Sequence, residues 1–355
     1  MGGKLRGMGN AVVTKKMGMT LLPIAVAIVV AGCNIPVPHG ITSPTSTTLP
    51  PSTTSTTGAT TGSTSTTSTS TTSTTTTTGS TTTTTTDGTG GGTCGSQKTF
   101  VENGITWVCT FDSEFTGNAL DTTKWTAVTT ASGGYSSGTT ACFVNSPNNV
   151  SVGDGYLSLT AEKEATPFVC TDPFGNFTTQ YTSGSVTTSG LFSQTFGRVE
   201  VMAKVPSTAV PGLQSSLWLY PQTGTMGELD MAEAYSDDPG MAVPYFHYSP
   251  NSLDMTSGTN DNTQTNNGCA INAGQFNDFV IEWSATTITV TYNGNTCLID
   301  NYSVLLGAQG TPFNQPEFIN LTQALGIAPN TFDPATTPLP STTEVKYVRA
   351  WQVQP

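Results

Sequence analysis

Between residues 94 and 355, apolar and polar residues alternate with a period of two in one short run after another. Val150–Ala161, Gly184–Thr188, Arg198–Val205, Phe279–Trp283, Thr287–Tyr292 and Glu344–Val353 all follow this pattern. A period of two puts successive side chains on opposite faces of a strand, one face toward a core and the other toward solvent. No stretch of this region has convincing helical periodicity, and no internal repeat is visible. Turn signals separate the runs, such as Asn293-Gly294 ahead of the Cys297 segment. Many short strands with turns between them predict an all-β sandwich or barrel. The region holds about 260 residues, ample for one large domain.

One run carries chemistry. In Glu228-Leu229-Asp230-Met231-Ala232-Glu233, three carboxylates are separated by apolar residues, although the whole chain has only 23 Asp and Glu in 355 residues. On a strand Glu228 and Asp230 share one face, while Leu229 and Met231 share the other. Glu233 falls out of register by one position, and a β-bulge of one extra residue would bring it back beside the other two. A row of acids over a packed core suits glycoside hydrolysis by two carboxylates. A merely solvated acidic face is the plain alternative. Two neighbours weigh against it: the loop-like Ala234–Gly240 that follows, and the aromatics of Trp218-Leu219-Tyr220-Pro221.

Composition divides the chain in three. Residues 1–33 read as an export signal, with Lys15 and Lys16 ahead of the apolar Leu21–Val30. That run is short for a transmembrane helix. It ends in Val30-Ala31-Gly32-Cys33, which resembles a bacterial lipobox and implies lipid on Cys33; ordinary signal cleavage is the alternative. Residues 34–93 form a tether, almost entirely Thr, Ser and Gly from residue 42 onward, that cannot bury apolar surface. About fifty such residues would span roughly 40 Å on average. Residues 94–355 form the folded domain.

After Cys33 seven Lys and Arg remain against all 23 acids, a net charge of about −16. That disfavours nucleic acid and anionic polysaccharide and points to a neutral partner. Beyond Cys33 there are six cysteines: Cys94, Cys109, Cys142, Cys170, Cys269 and Cys297. An even number in an exported domain predicts three disulfides, with about 15 possible connectivities. Sequential pairing is favoured, because each neighbouring pair brackets one or two short strands. No cysteine–histidine spacing suggests a metal site, and no cofactor is expected.

Gly227–Glu233 resembles the signature of glycoside hydrolase family 16, with the ExDxxE spacing of its laminarinase-like branches. Weaker matches keep the family's order. Phe111–Phe115 and Leu120–Trp125 look like its opening strand, Asp154–Ala161 like its next hairpin, and Tyr347–Gln352 like its closing strand. The resemblance implies a concanavalin A-like β-jelly-roll sandwich of two curved antiparallel sheets with a glycan cleft. It implies Glu228 as nucleophile, Glu233 as general acid/base, and Asp230 between them to tune the pair. His247 corresponds to a family histidine on the next strand that reaches the cleft, unless it is structural. Trp218 corresponds to a cleft tryptophan, unless it is core. Tyr235 and Phe192 are weaker cleft candidates that also suit core or rim. Gln323, on a strand resembling the cleft floor, is expected to find a glycan partner for its polar end.

Three positions depart from the family. Gln214 replaces a second tryptophan, Met202 an arginine, and Lys346 the aspartate that binds a structural calcium, so no metal is expected. The resulting expectation is a monomeric, retaining endo-hydrolase of a neutral β-linked polysaccharide, with no nucleic acid as partner and touching the membrane through its lipid alone. β-1,3-glucan is the favoured substrate. Transglycosylation by the same residues, and a lectin-like module that binds without cleaving, are the rivals.

Overall fold

The runs of alternating polarity become strands because each can bury one face. The computed structural model describes residues 92–133, 140–223, 227–248, 262–266, 268–301 and 313–355. Residues 1–33, expected from the sequence to be an export signal ending at Cys33, lie outside them, as does the expected tether up to residue 91. The strands are β1 (Thr99–Glu102), β2 (Ile105–Ser113), β3 (Thr126–Ala127), β4 (Ala141–Phe143), β5 (Val150–Gly153), β6 (Tyr156–Cys170), β7 (Phe177–Thr187), β8 (Gly197–Lys204) and β9 (Leu213–Pro221). They continue as β10 (Glu228–Tyr235), β11 (Val243–Tyr248), β12 (Asn262–Thr265), β13 (Asn277–Trp283), β14 (Ile288–Tyr292), β15 (Asn295–Asp300), β16 (Glu317–Leu325) and β17 (Ser341–Val353). Among the described residues no helix is long and apolar enough to cross a membrane.

One sheet runs β15-β14-β13-β8-β17; β6 and β2 share the far edge of β17, and β5 and β1 pair beyond them. The other runs β3-β7-β16-β9-β10-β11-β12. The β6–β7 hairpin belongs to both. Leu157–Ala161 of β6 pairs with β17, its later residues pair with β7, and β7 then passes to β16 from Gly184 onward. This is the expected jelly-roll sandwich of curved antiparallel sheets. One pairing departs from that pattern: β4 runs parallel to β7. Cys142 in β4 is bonded to Cys170 at the end of β6, which fixes this short strand against the hairpin. Leu120–Trp125, which resembled an opening strand, is instead a turn into β3. Asp121 Oδ1 accepts from Thr123 N at 3.0 Å, the kind of local bond that competes with a ladder.

The core lies between the two sheets. Val199, Val201 and Ala203 of β8, Phe279 and Ile281 of β13, and Ile288 and Val290 of β14 face Leu217, Leu219, Leu229, Met231, Phe246, Ile319 and Leu321 of the other sheet. Each of these side chains larger than alanine contributes about 1.5–3 kcal/mol on burial. The remaining disulfides join Cys94 to Cys109 and Cys269 to Cys297. The Asn293-Gly294 turn joins β14 to β15 with both residues at positive φ, 51° and 75°, as a two-residue hairpin turn requires.

Gly184 marks the corner where β7 changes sheets. A Cβ there would lie 2.0 Å from the backbone oxygen of Asn149, which accepts from Thr160 N at 2.9 Å. Backbone on both sides cannot yield cheaply. Gly184→Ala should therefore lower unfolding free energy by about 2–3 kcal/mol, read by denaturant titration.

Candidate active site

β10 is built for two environments at once. Leu229 and Met231 point into the core with no exposed surface, and Glu228 and Asp230 point the other way. On β11, Glu228 sits opposite His247, Asp230 opposite Tyr245, and Glu233 opposite Val243. Two residues of β10, Met231 and Ala232, thus match one of β11, Pro244, between Asp230 and Glu233, so one bulge returns Glu233 to the acid face. The β9 register shifts in the same place, with Asp230 opposite Trp218 and Ala232 opposite Leu217. The bulge takes Met231 out of the β9 ladder. Its carbonyl accepts instead from the Tyr292 hydroxyl of β14 at 2.8 Å, so the buried group is satisfied from the opposite sheet.

The acids sit in different surroundings. Asp230 is 4% exposed, with His247 Nε2 3.4 Å from its Oδ2. Burial raises its pKa, and the hydrogen bond and charge of His247 oppose the rise. Glu233 is gripped on both oxygens: Gln214 Nε2 donates to Oε1 at 2.7 Å and the Tyr235 hydroxyl donates to Oε2 at 2.8 Å. Burial first and the Asp230 charge second push its pKa up to about 7, against the pull of Tyr235, His247 and Gln214. Burial, then the Glu233 charge, lifts the Tyr235 phenol well above its ordinary value, so it remains a donor. An acid that titrates near neutrality beside other carboxylates is what proton donation to a leaving oxygen needs.

The other expected residues divide. His247 comes to the site and packs on Tyr245, ring centroids 4.5 Å apart. Tyr235 comes to it through Glu233. Trp218 lies on the acid face rather than in the core, but it is only 5% exposed and its Nε1 donates to Thr322 Oγ1 at 3.2 Å. Phe192 does not join them; it packs on Phe111 and the core.

Gln323 is a correction. It pairs with Ser215 on the core-facing side of β16 and is fully buried. Its Oε1 accepts from Ser215 Oγ at 3.1 Å and Thr343 Oγ1 at 2.7 Å, while Nε2 donates to Ala324 O at 3.0 Å. Its polar end is satisfied by protein between the sheets, so no glycan reaches it. From the sequence, Gln214 stands out only as a residue in place of a tryptophan. Its spacing of four from Trp218 on a strand was a usable signal, because it puts both on one face.

Glu228, Asp230 and His247 offer ligand atoms within 4.8 Å of one another, the group among the described residues that could hold a cation. The surroundings of Lys346 do not fit the family's structural calcium. Lys346 is itself an exposed cation, and nearby on β17 Arg349 Nε already meets Glu114 Oε1 at 2.7 Å.

Residues 137–304 match the family described as glycosyl hydrolases family 16. That match spans β4 to β15 and includes the acid row of β10, so the β-domain is similar to that family there. The chain is 27% identical over 267 residues to the glucan endo-1,3-beta-glucosidase A1 of Niallia circulans, covering 69% of this chain and 38% of that protein. The chain thus spans well under two thirds of the length of that curated relative. Among solved structures, a non-specific endo-beta-1,3(4)-glucanase of family 16 matches with a TM-score of 0.58 and 25% identity, over 70% of this chain and 92% of its own. A structure described with endo-acting O-glycanases of the human gut microbiota matches with a TM-score of 0.60 and 26% identity, over 70% of this chain and 91% of its own.

Proposed function

We propose that this chain is an exported, retaining endo-glycosidase that hydrolyses a neutral β-1,3(4)-glucan, with β-1,3 linkages favoured. The observation that carries the reading is the bulge in β10, which puts Glu228, Asp230 and Glu233 on one face while Glu233 is held near neutrality. Glu228 attacks the anomeric carbon as Glu233 protonates the departing oxygen. Glu233, now a carboxylate, then takes a proton from the water that releases the glycosyl group from Glu228. Asp230, buried next to His247, tunes the pair through its charge. The acidic net charge supports a neutral polymer as substrate, and the glucanase relatives support a β-glucan.

Product analysis on β-1,3-glucan, mixed-linkage glucan, galactan, xyloglucan and mucin glycans tests the substrate. Oligosaccharides from the first two, β-configured when first formed by proton NMR, are expected. Products longer than the substrate would instead mark transglycosylation. Binding without new reducing ends would mark a lectin.

We also propose that Cys33 carries lipid and that residues 34–93 tether the domain to a membrane surface, the domain acting as a monomer. One acyl chain binds a membrane only marginally, whereas two or more anchor it stably. Cys33→Ser should move the protein from the membrane fraction to the medium. Equal retention of both proteins would refute the anchor.

A further inference from the structure

The grip on Glu233 has more in it than orientation. Gln214 is opposite Tyr235 in the β9–β10 register, is nearly buried, and lies 2.7 Å from Glu233 Oε1 with Ser216 Oγ 3.4 Å from the same amide nitrogen. We propose that Gln214 is a positioning residue for the acid/base: it holds Glu233 by Oε1, so that Oε2, on the Tyr235 side, is the oxygen that gives and takes the proton. The inference rests on Glu233 being the acid/base.

The two donors differ in what they tolerate. An amide N–H can only donate, so it needs a lone pair on Oε1 in either protonation state of Glu233. A tyrosine hydroxyl donates to an ionised Oε2 and can turn to accept when Oε2 carries the proton. In the first step Oε2–H passes its proton to the glycosidic oxygen as the C1–O bond breaks and the Glu228 carboxylate bonds to C1. In the second step Oε2 takes a proton from water as the water oxygen bonds to C1 and the Glu228–C1 bond breaks. The Gln214 bond persists through both. The groups that face Glu233 are Asp230 and Tyr235 on β10, His247 on β11 and Gln214 on β9, and the Tyr292 phenol of β14 also senses its charge.

Gln214→Met keeps length and removes the donor. On polymeric glucan its kcat should fall about tenfold with KM nearly unchanged, because a freed carboxyl points its proton less often at the leaving oxygen. The basic limb of its pH profile should move up by about one pH unit, since a bond that favoured the carboxylate is gone. An activated aryl glycoside, which needs little protonation, should show less than a twofold loss in the burst step. A superimposable pH profile, or a loss confined to KM, would overturn the proposal and leave Gln214 a subsite contact. A carboxyl 13C NMR titration of Glu233 in unliganded wild type and Gln214→Met gives a readout without turnover. An unchanged midpoint also overturns the proposal. A midpoint that rises, in proteins that cleave no glycan, instead sinks the hydrolase reading. If Gln214→Met does not fold, Gln214→Asn, whose amide is one methylene short of Glu233, carries the same titration.

Discussion

Glu228→Gln should abolish turnover of every glucan the wild type cleaves, by roughly a thousandfold or more, while glycan binding stays nearly unchanged. The substitution is isosteric. It keeps the strand, the bulge and the His247 pairing across β11. What it removes is the charge that, in the proposed mechanism, forms the bond to the anomeric carbon. An amide cannot supply that electron pair at a useful rate, so loss falls on kcat. Isothermal titration with a β-glucan oligosaccharide checks the binding, and a reducing-end assay checks the rate. Comparable turnover in the variant would remove Glu228 as nucleophile. An α-configured first product from wild type would reassign it as a base acting through water. A lectin would show glycan binding in both proteins and cleavage in neither.

Glu233→Gln should lose about 10²–10⁴-fold on polymeric glucan, less on aryl glycosides with good leaving groups, and yet melt above wild type in alkaline buffer. Both effects follow from the same burial. Glu233 titrates at about 7 in the folded protein against an ordinary value of 4.5. Wild-type kcat/KM should therefore fall as pH rises through about 7, because the donor loses its proton. Its raised pKa also favours the folded state most below pH about 4.5, and that contribution is lost as pH rises through about 7. Asp230 and the fully buried Glu317 are shifted in the same direction by burial and add to the trend. A neutral glutamine at 233 has no such loss. Melting curves from pH 5 to 9 on both proteins test this. A Glu233→Gln variant that is less stable than wild type at pH 8 would contradict the assignment of burial as the dominant cause.

The legible part of this molecule was local. Period-two alternation in Arg198–Val205 and Phe279–Trp283 names the strands and their buried faces, since a side chain's face depends only on its parity. The spacing of Glu228, Asp230 and Glu233 requires a bulge for all three to act together, and the bulge is where the spacing demands it. Asn293-Gly294 specifies its turn through two positive φ values that few other pairs adopt. Gln323 lies on the face opposite to the one expected, because parity within Glu317–Leu325 does not say which face meets the core. That was decided by pairing with β9, where Gln323 meets Ser215 and not the row of Trp218 and Ser216.

The amino-acid order alone therefore determined the β architecture, the acid row and the need for a bulge, because each depends on neighbours a few residues apart. The tertiary structure decided which buried groups meet across distance. Tyr292 reaches Met231 from the opposite sheet, Gln214 reaches Glu233 from the adjacent strand, and β4 lies parallel to β7. These contacts depend on strand register and sheet packing, which are set by the whole core at once; a residue's parity gives its face but not its partner.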